Sequence, residues 1–311
     1  MTTLWDDSRL PASLTVVDGG ARGGFSLLPR LDARLDVHAF EPDADACARL
    51  VALDRYRSIT AWPHALDASP GRRTLFHARH GSMSSLFEPD LEAYARHFGR
   101  MSDYPTWAAR IATVGTSEVE TTTLDAWAAS AGVEHVHLLK LDTQGTELDV
   151  LRGARALLDA GRIAVVYTEV SFLPVYKQQA LFPAVDRHLA DVGLPLVDCR
   201  FYPEVVGGER WASPYAEPPR WAAVGDATFA CLPTRWPEAE RATKTVATAL
   251  VLSQLGYGRT AAAWLHRYAG WPAGEIDRAL CAWTHRPLPA RLRTATRRVL
   301  PRGVMQWWRR S

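Results

Sequence analysis

Val16 to Ser26 reads VVDGGARGGFS, a hydrophobic run that turns at glycines and leads into a segment with helix-like apolar spacing. With the two preceding residues it gives a buried strand, Leu14 to Asp18, and the spacing beyond the turn predicts a helix near Phe25 to Ala33. Glycines let a backbone turn tightly and lie against a ligand, and a helix N-terminus behind them offers N–H groups without partners. Gly19-x-Ala21-x-x-Gly24 also has the spacing of a degenerate dinucleotide fingerprint.

Outward from this turn, short β-rich runs alternate with helical patterns, the sequence form of βαβ units and a mainly parallel sheet. Asp36 to Glu41 (DVHAFE) is a second strand, Pro42 ends it, and Asp43 to Leu53 is an amphipathic helix. Ser58 to Ala65 makes a third strand. Helix Leu124 to Ser130, strand His137 to Asp142, helix Glu147 to Asp159, strand Ile163 to Glu169 and helix Gln178 to Val192 continue the alternation. Leu194 to Phe201 and Ala227 to Leu232 are read as an antiparallel hairpin closing the sheet. The stretch at about 71–120 breaks the rhythm. Two β-like pieces, Arg73 to Ala78 and Thr113 to Glu120, flank a Ser/Gly loop (GSMSS) and a helical segment around Leu91 to Phe98. It reads as an insertion above the sheet, where a lid or substrate wall would sit. After Pro237 the pattern is helical over Glu238 to Gly256, Arg259 to Ala269, Ala273 to Trp283 and Pro289 to Leu300. The expected organisation is an α/β domain over 1–235 and a small helical C-terminal appendage over 236–311.

Composition narrows the class. With 311 residues, 47% hydrophobic and 23% charged, the chain can bury a large core in the manner of a globular enzyme. Its longest apolar runs, such as Ile163 to Tyr167, fall well short of the roughly 20 residues that span a bilayer. The opening MTTLWDDSRLPAS lacks a basic and then apolar leader pattern, so no secretory signal is expected. Cys47, Cys199, Cys231 and Cys281 have no metal or redox spacing and read as reduced thiols of a cytoplasmic protein. The net charge of +2 is uneven: Ala290 to Ser311 carries seven arginines and no acid, leaving −5 on the remainder. That body lacks the basic excess nucleic acid requires.

Two acids give the glycine turn its chemistry. Glu41 ends the second strand 23 residues after Asp18, where a carboxylate accepts hydrogen bonds from the ribose hydroxyls of an adenosine cofactor, whether NAD or S-adenosylmethionine. Asp18 discriminates between them. It points towards the turn, where a pyrophosphate would meet like charge, whereas a sulfonium and an α-amino group are positive.

With these residues in view, the chain resembles the FkbM-type methyltransferase family. The matching segments run in family order over about residues 14–232: VVDGGARGGFS, AFEPDADACARL, HALDASPG followed by SMSSL, TTTLDAWA, LLKLDTQGTELDVLRGA, VVYTEVSFLPVYKQQALFPAVDRHLADVGLPLVD and GDATF. KLDTQGTE and EVSF…YKQQ are the specific blocks. The resemblance implies a Rossmann-like class I methyltransferase sheet, seven strands with the last antiparallel, and S-adenosylmethionine as methyl donor. It implies cofactor contacts from Asp18, Gly20, Ala21, Gly24 and Glu41, with Ala65, Leu66 and Asp67 beside the adenine and Asp142 near the methionine end. Arg22 stands where many members carry Asn, and the helices beyond 235 lie outside the common pattern.

Methyl transfer to an alcohol is an in-line displacement that needs the acceptor about 3 Å from the methyl carbon and a base in reach of its proton. Asp142 and Glu169, at the carboxyl ends of strands, are the candidate catalytic acids. Lys140 faces the same side as Asp142 and would pair with it. His64 and His80 read as loop or core histidines. A cation shared by Asp142 and Glu169 has no evident third ligand, so no metal is assigned. Gly145 reads as a turn, Thr146 as a helix cap and Glu147 as a complement to the helix dipole.

The resemblance implies a hydroxyl acceptor on a sugar, glycan or glycosylated secondary metabolite. Twelve tryptophans, eight of them between Trp211 and Trp308, read more as core than as sugar platforms. The tail VLPRGVMQWWRR suggests peripheral contact with an anionic membrane, against the plainer reading of a solvated terminus. Two other functions fit the same turn: an NAD-dependent oxidoreductase or epimerase, and a non-catalytic relative that binds S-adenosylmethionine. Oligomeric state and nitrogen against oxygen as acceptor carry no sequence signal.

Overall fold

The computed structural model describes residues 9–98, 104–205 and 220–284. Ten strands follow the chain as β1 (Leu14–Gly19), β2 (Leu35–Phe40), β3 (Ser58–Trp62), β4 (Ala65–Leu66), β5 (Gly71–Ala78), β6 (Thr113–Thr122), β7 (Leu138–Leu141), β8 (Val165–Ser171), β9 (Leu196–Val205) and β10 (Arg220–Ala230). Between and after them lie α1 (Ala44–Leu50), α2 (Leu91–Phe98), α3 (Tyr104–Ile111), α4 (Leu124–Ala131), α5 (Glu147–Arg152), α6 (Arg155–Asp159), α7 (Phe182–Asp191), α8 (Glu238–Gln254), α9 (Gly258–Ala269) and α10 (Ala273–Thr284).

Seven strands form one sheet in the order β3-β2-β1-β7-β8-β10-β9. All neighbours from β3 to β8 are parallel, and β10 lies antiparallel between β8 and β9. The middle strands are runs of Val and Leu because both their faces are covered: Leu14, Val16, Val17, Leu138, Leu139, Leu141, Val165 and Val166 are all buried. Successive connections leave β1 in opposite directions, towards β2 on one side and β7 on the other. The crevice at the carboxyl ends of β1 and β7 is therefore the switch point, where open α/β sheets hold ligands.

The expected helix at Phe25 to Ala33 is absent. Gly20 and Gly24 take φ values of 77° and 75°, Pro29 removes a donor, and only a 3-10 turn forms at Asp32–Arg34. Phe25, Leu28 and Leu31 imitate helical spacing, yet each is buried by an irregular loop that Arg55 and Tyr56 hold through the Phe25 carbonyl. Other boundaries shift for local reasons. β3 stops at Trp62 because Pro63 cannot extend a ladder, and Ala65 and Leu66 pair with β6 in a second sheet, β4-β6-β5. The helix expected over Glu147 to Asp159 divides at Gly153, where a Cβ would stand 2.2 Å from the Asp67 carbonyl oxygen. α7 starts at Phe182, not Gln178, which has a left-handed φ of 65°.

The insertion consists of β5, β6, α2 and α3, the last unanticipated. Its Phe87, Tyr94 and Ile111 pack with Val175, Tyr176 and Ala223, which places an apolar wall at the carboxyl end of β8. Every residue of α8 from Thr245 to Ser253 is buried, and Leu265, Ile276 and Trp283 belong to the same continuous core as the sheet. Arg30 donates to the Trp283 carbonyl, so α10 flanks the loop after β1. The predicted helix at Pro289 to Leu300 and the Arg/Trp tail lie outside the described residues. No helix among those described is long and apolar enough to cross a membrane.

Two histidines sit at the amino end of β7. His137 Nδ1 accepts the Thr15 N–H at 2.9 Å, and the His135 ring meets it at 4.9 Å with no hydrogen-bond partner on either nitrogen among the described residues. Burial pushes His135 down to about 3 and His137 to about 4, with Lys244 adding to both. The unfolded chain therefore takes up these protons first, and their contribution to stability falls as pH drops below about 6.5. His135→Phe removes one such base. Relative to the parent, it should gain about 2 kcal/mol on going from pH 7.5 to 4.5. Urea unfolding at both values measures this; an unchanged gap contradicts it.

Candidate active site

The site is built on β1. Asp18 is 1% exposed and registers beside Lys140 on β7, whose Nζ lies 3.0 Å from Asp18 Oδ1 and 3.7 Å from Asp142 Oδ2. Lys140 thus pairs with Asp142, the partner its own strand suggested, and more closely with the buried Asp18. Burial raises the Asp18 carboxyl while Lys140 opposes the rise; burial works against the Lys140 charge, but Asp18 and Asp142 outweigh it and hold the ammonium above its ordinary value.

The turn beyond Asp18 is engaged rather than open. Gly20 and Ala21 both donate their N–H to the Phe40 carbonyl, at 3.2 and 3.1 Å, and Gly24 donates to Ala21 at 2.7 Å. No helix N-terminus follows. The Gly20, Ala21 and Gly24 amides are therefore not available to a pyrophosphate, and Lys140 balances the Asp18 charge. At Gly20 a Cβ would lie 2.0 Å from the Asp142 carbonyl oxygen, so only glycine lets the turn rest on the end of β7. Gly24 faces Leu53 and Leu50 on the trailing side of α1.

Glu41, 5% exposed, follows β2 and accepts the Asp43 N–H on Oε1 at 2.9 Å. Asp43 caps α1 through the Ala46 N–H and pairs with Arg22 at 3.3 Å. Burial raises the Glu41 carboxyl, and the Asp43 N–H and Arg22 offset part of the rise. Arg22 also lies against Gly81, so it joins the turn to the insertion. Leu66 reaches Gly19 and Ala65 is buried beside it in sequence, whereas the Asp67 carboxylate is held by Arg73 at 2.6 Å and the Ala68 N–H at 2.8 Å.

Asp142 follows β7, Glu169 lies two residues before the end of the adjacent parallel strand β8, and an amide joins them. Gln144 Nε2 lies 2.6 Å from Asp142 Oδ1 and 3.4 Å from Glu169 Oε1. Burial, then Asp142 and Glu147, lifts the Glu169 carboxyl well above its ordinary value. Glu147 does more than complement a dipole: it is buried and accepts the N–H groups of Thr143 and Gly145 at 2.9 and 3.0 Å, fixing the loop. Burial raises its carboxyl to about 7. Thr146 holds the N-cap position of α5 without a side-chain cap bond, its hydroxyl donating to the Thr143 carbonyl instead. His80 is exposed and bonded to Ser82, away from these acids. Gln144 and Tyr176 lie in the KLDTQGTE and YKQQ blocks that the sequence singled out, but neither was given a role at the site.

A parallel sheet of this order, with its last strand reversed between two others and acids at the switch point, is the Rossmann-like sheet of class I methyltransferases. The chain belongs to the family described as methyltransferase FkbM domain, whose model matches residues 18–195. It is similar to the 2-O-methyltransferase NoeI of Sinorhizobium fredii, 32% identical over 161 residues that cover 50% of this chain and 62% of that protein. The chain therefore spans under two thirds of that relative. Among solved structures, the methyltransferase FkbM of Methylobacillus flagellatus matches with TM-score 0.38 and 14% identity, over 70% of this chain and 44% of that one. A TehB-like SAM-dependent methyltransferase of Corynebacterium glutamicum matches with TM-score 0.31 and 10% identity, over 73% and 84%.

Proposed function

We propose that this chain is an S-adenosylmethionine-dependent O-methyltransferase acting on a hydroxyl of a sugar, glycan or glycosylated secondary metabolite. The observation that carries the reading is the charge at the switch point: Asp18, Glu41, Asp142 and Glu169 converge there against Lys140, beside a turn whose Gly20, Ala21 and Gly24 N–H groups are already bonded within the chain. Such a donor set suits a ligand with a positive sulfonium and amino group and two ribose hydroxyls. Glu41 would hold the ribose, Gly20 and Ala21 the turn side, Ala65 and Leu66 the adenine side, and Asp18 and Asp142 the amino end. When bound, the cofactor supplies an electrophilic methyl group. Glu169, raised by burial, is placed to take the acceptor proton, and the apolar wall of the insertion keeps water away. The name of the Sinorhizobium relative supports oxygen as the acceptor atom.

The test is label transfer from radioactive S-adenosylmethionine to a panel of glycans and glycosylated small molecules, by the full chain. Label should enter a hydroxyl-bearing acceptor, and Glu169→Gln should slow transfer about 100-fold or more. Labelling confined to amines, or equal rates in the variant, contradicts the proposal.

A further inference from the structure

Gln144 is held in a backbone conformation that non-glycine residues rarely adopt, φ 58°, in a chain where only one other described non-glycine does so. The consequence is the direction of its side chain. The amide has two N–H donors, and the acids on either side can only accept when ionised, so one N–H faces Asp142 Oδ1 at 2.6 Å and the other faces Glu169 Oε1 at 3.4 Å. A flipped amide would set its oxygen against both carboxylates. Behind the amide, Tyr176 Oη lies 3.0 Å from Gln144 Oε1 and also 3.0 Å from the Met83 carbonyl, two acceptors for its single proton. Ser85 donates its hydroxyl to the Gln144 carbonyl at 2.6 Å. Met83 and Ser85 belong to the insertion, so one residue touches both candidate acids and the segment that walls them.

We propose that Gln144 is the positioning residue of this site: its amide holds Asp142 towards the cofactor and Glu169 towards the acceptor hydroxyl, and ties their alignment to the Met83–Ser85 segment. This rests on the methyltransferase reading for its meaning, though the alignment itself can be measured without turnover. The groups facing Glu169 are Asp142, Glu147 and Asp226, against Lys140, with the Tyr176 hydroxyl beyond the amide. An uncharged donor at 144 is what keeps a further carboxylate out of this group.

The test uses the full chain with 13C-carboxyl-labelled glutamate, Glu169 being assigned by its loss in Glu169→Gln. Gln144→Glu keeps the shape but removes both donors and adds like charge. Gln144→Gly relieves the left-handed backbone while deleting the amide, so it is expected to keep the parent melting temperature. Both should raise the Glu169 titration midpoint, Gln144→Glu by about one pH unit or more. Binding of S-adenosylhomocysteine should weaken about threefold or more through the loss of Asp142 alignment, and kcat should fall about 10- to 100-fold with a smaller change in the acceptor KM. An unmoved Glu169 titration in both variants overturns the proposal. If the parent protein ignores S-adenosylhomocysteine while the titration still shifts, the methyltransferase reading fails and the positioning role stands.

Discussion

Gly20→Ala is expected to cost at least about 4 kcal/mol of stability, enough to leave little folded protein at 37 °C. Two effects add. A left-handed φ of 77° is strained for alanine by about 1–2 kcal/mol, and the new Cβ would stand 2.0 Å from a backbone oxygen, that of Asp142. Backbone cannot swing aside as a flexible side chain does, so β1 and the loop after β7 must separate, which exposes the Asp18–Lys140 pair between them. Gly23 supplies the internal control: nothing lies within 4 Å of its Cβ position, so Gly23→Ala should stay within about 0.5 kcal/mol. Thermal and urea unfolding of the two variants measure the contrast, and similar losses at both positions contradict the close packing of turn on strand.

Lys140→Met should cost about 3–5 kcal/mol at pH 8, because it leaves the Asp18 carboxylate buried without its ion pair. Asp142 contributes little to this loss, since its side chain is 43% exposed and solvent screens it. The deficit has a defined pH dependence. Burial already raises Asp18, and removing Lys140 raises it further. The penalty is therefore full above that raised value and disappears as acidification protonates Asp18 in the folded state. Urea unfolding at pH 8 and pH 5 should show the gap between variant and parent narrowing. Asp18→Asn combined with Lys140→Met should recover part of the loss. A deficit below 1 kcal/mol, or one that does not change with pH, would mean that the pair is not buried as described.

Much of the sheet was legible because its central strands are short and rich in Val and Leu, with an acid at or near the carboxyl end of each. Asp18, Glu41, Asp142 and Glu169 were visible for that reason, and the sheet brings them to one crevice. The loop after β1 was misread because Phe25, Leu28 and Leu31 repeat at helical spacing, and spacing alone cannot tell a helix face from an irregular loop pinned by Arg55. Gln144 stood in a block the sequence singled out, yet its role was unreadable for a different reason. Its side chain and its carbonyl bond to Tyr176 and Ser85, 32 and 59 residues away, so nothing in the local sequence announces these contacts. The closer partner of Lys140 was likewise decided across the sheet, by the register of β1 on β7, and not along its own strand.

The central claim is that the crevice at the head of β1 accepts an adenosine nucleoside with a positively charged amino-acid end and refuses a dinucleotide. Calorimetric titration of the full chain with S-adenosylhomocysteine and, separately, with NAD tests it directly. Saturable binding of S-adenosylhomocysteine with a dissociation constant on the order of 1–100 μM, and no heat from NAD over the same range, is the predicted result. Tight binding of NAD by a protein that gives no response to S-adenosylhomocysteine would contradict it.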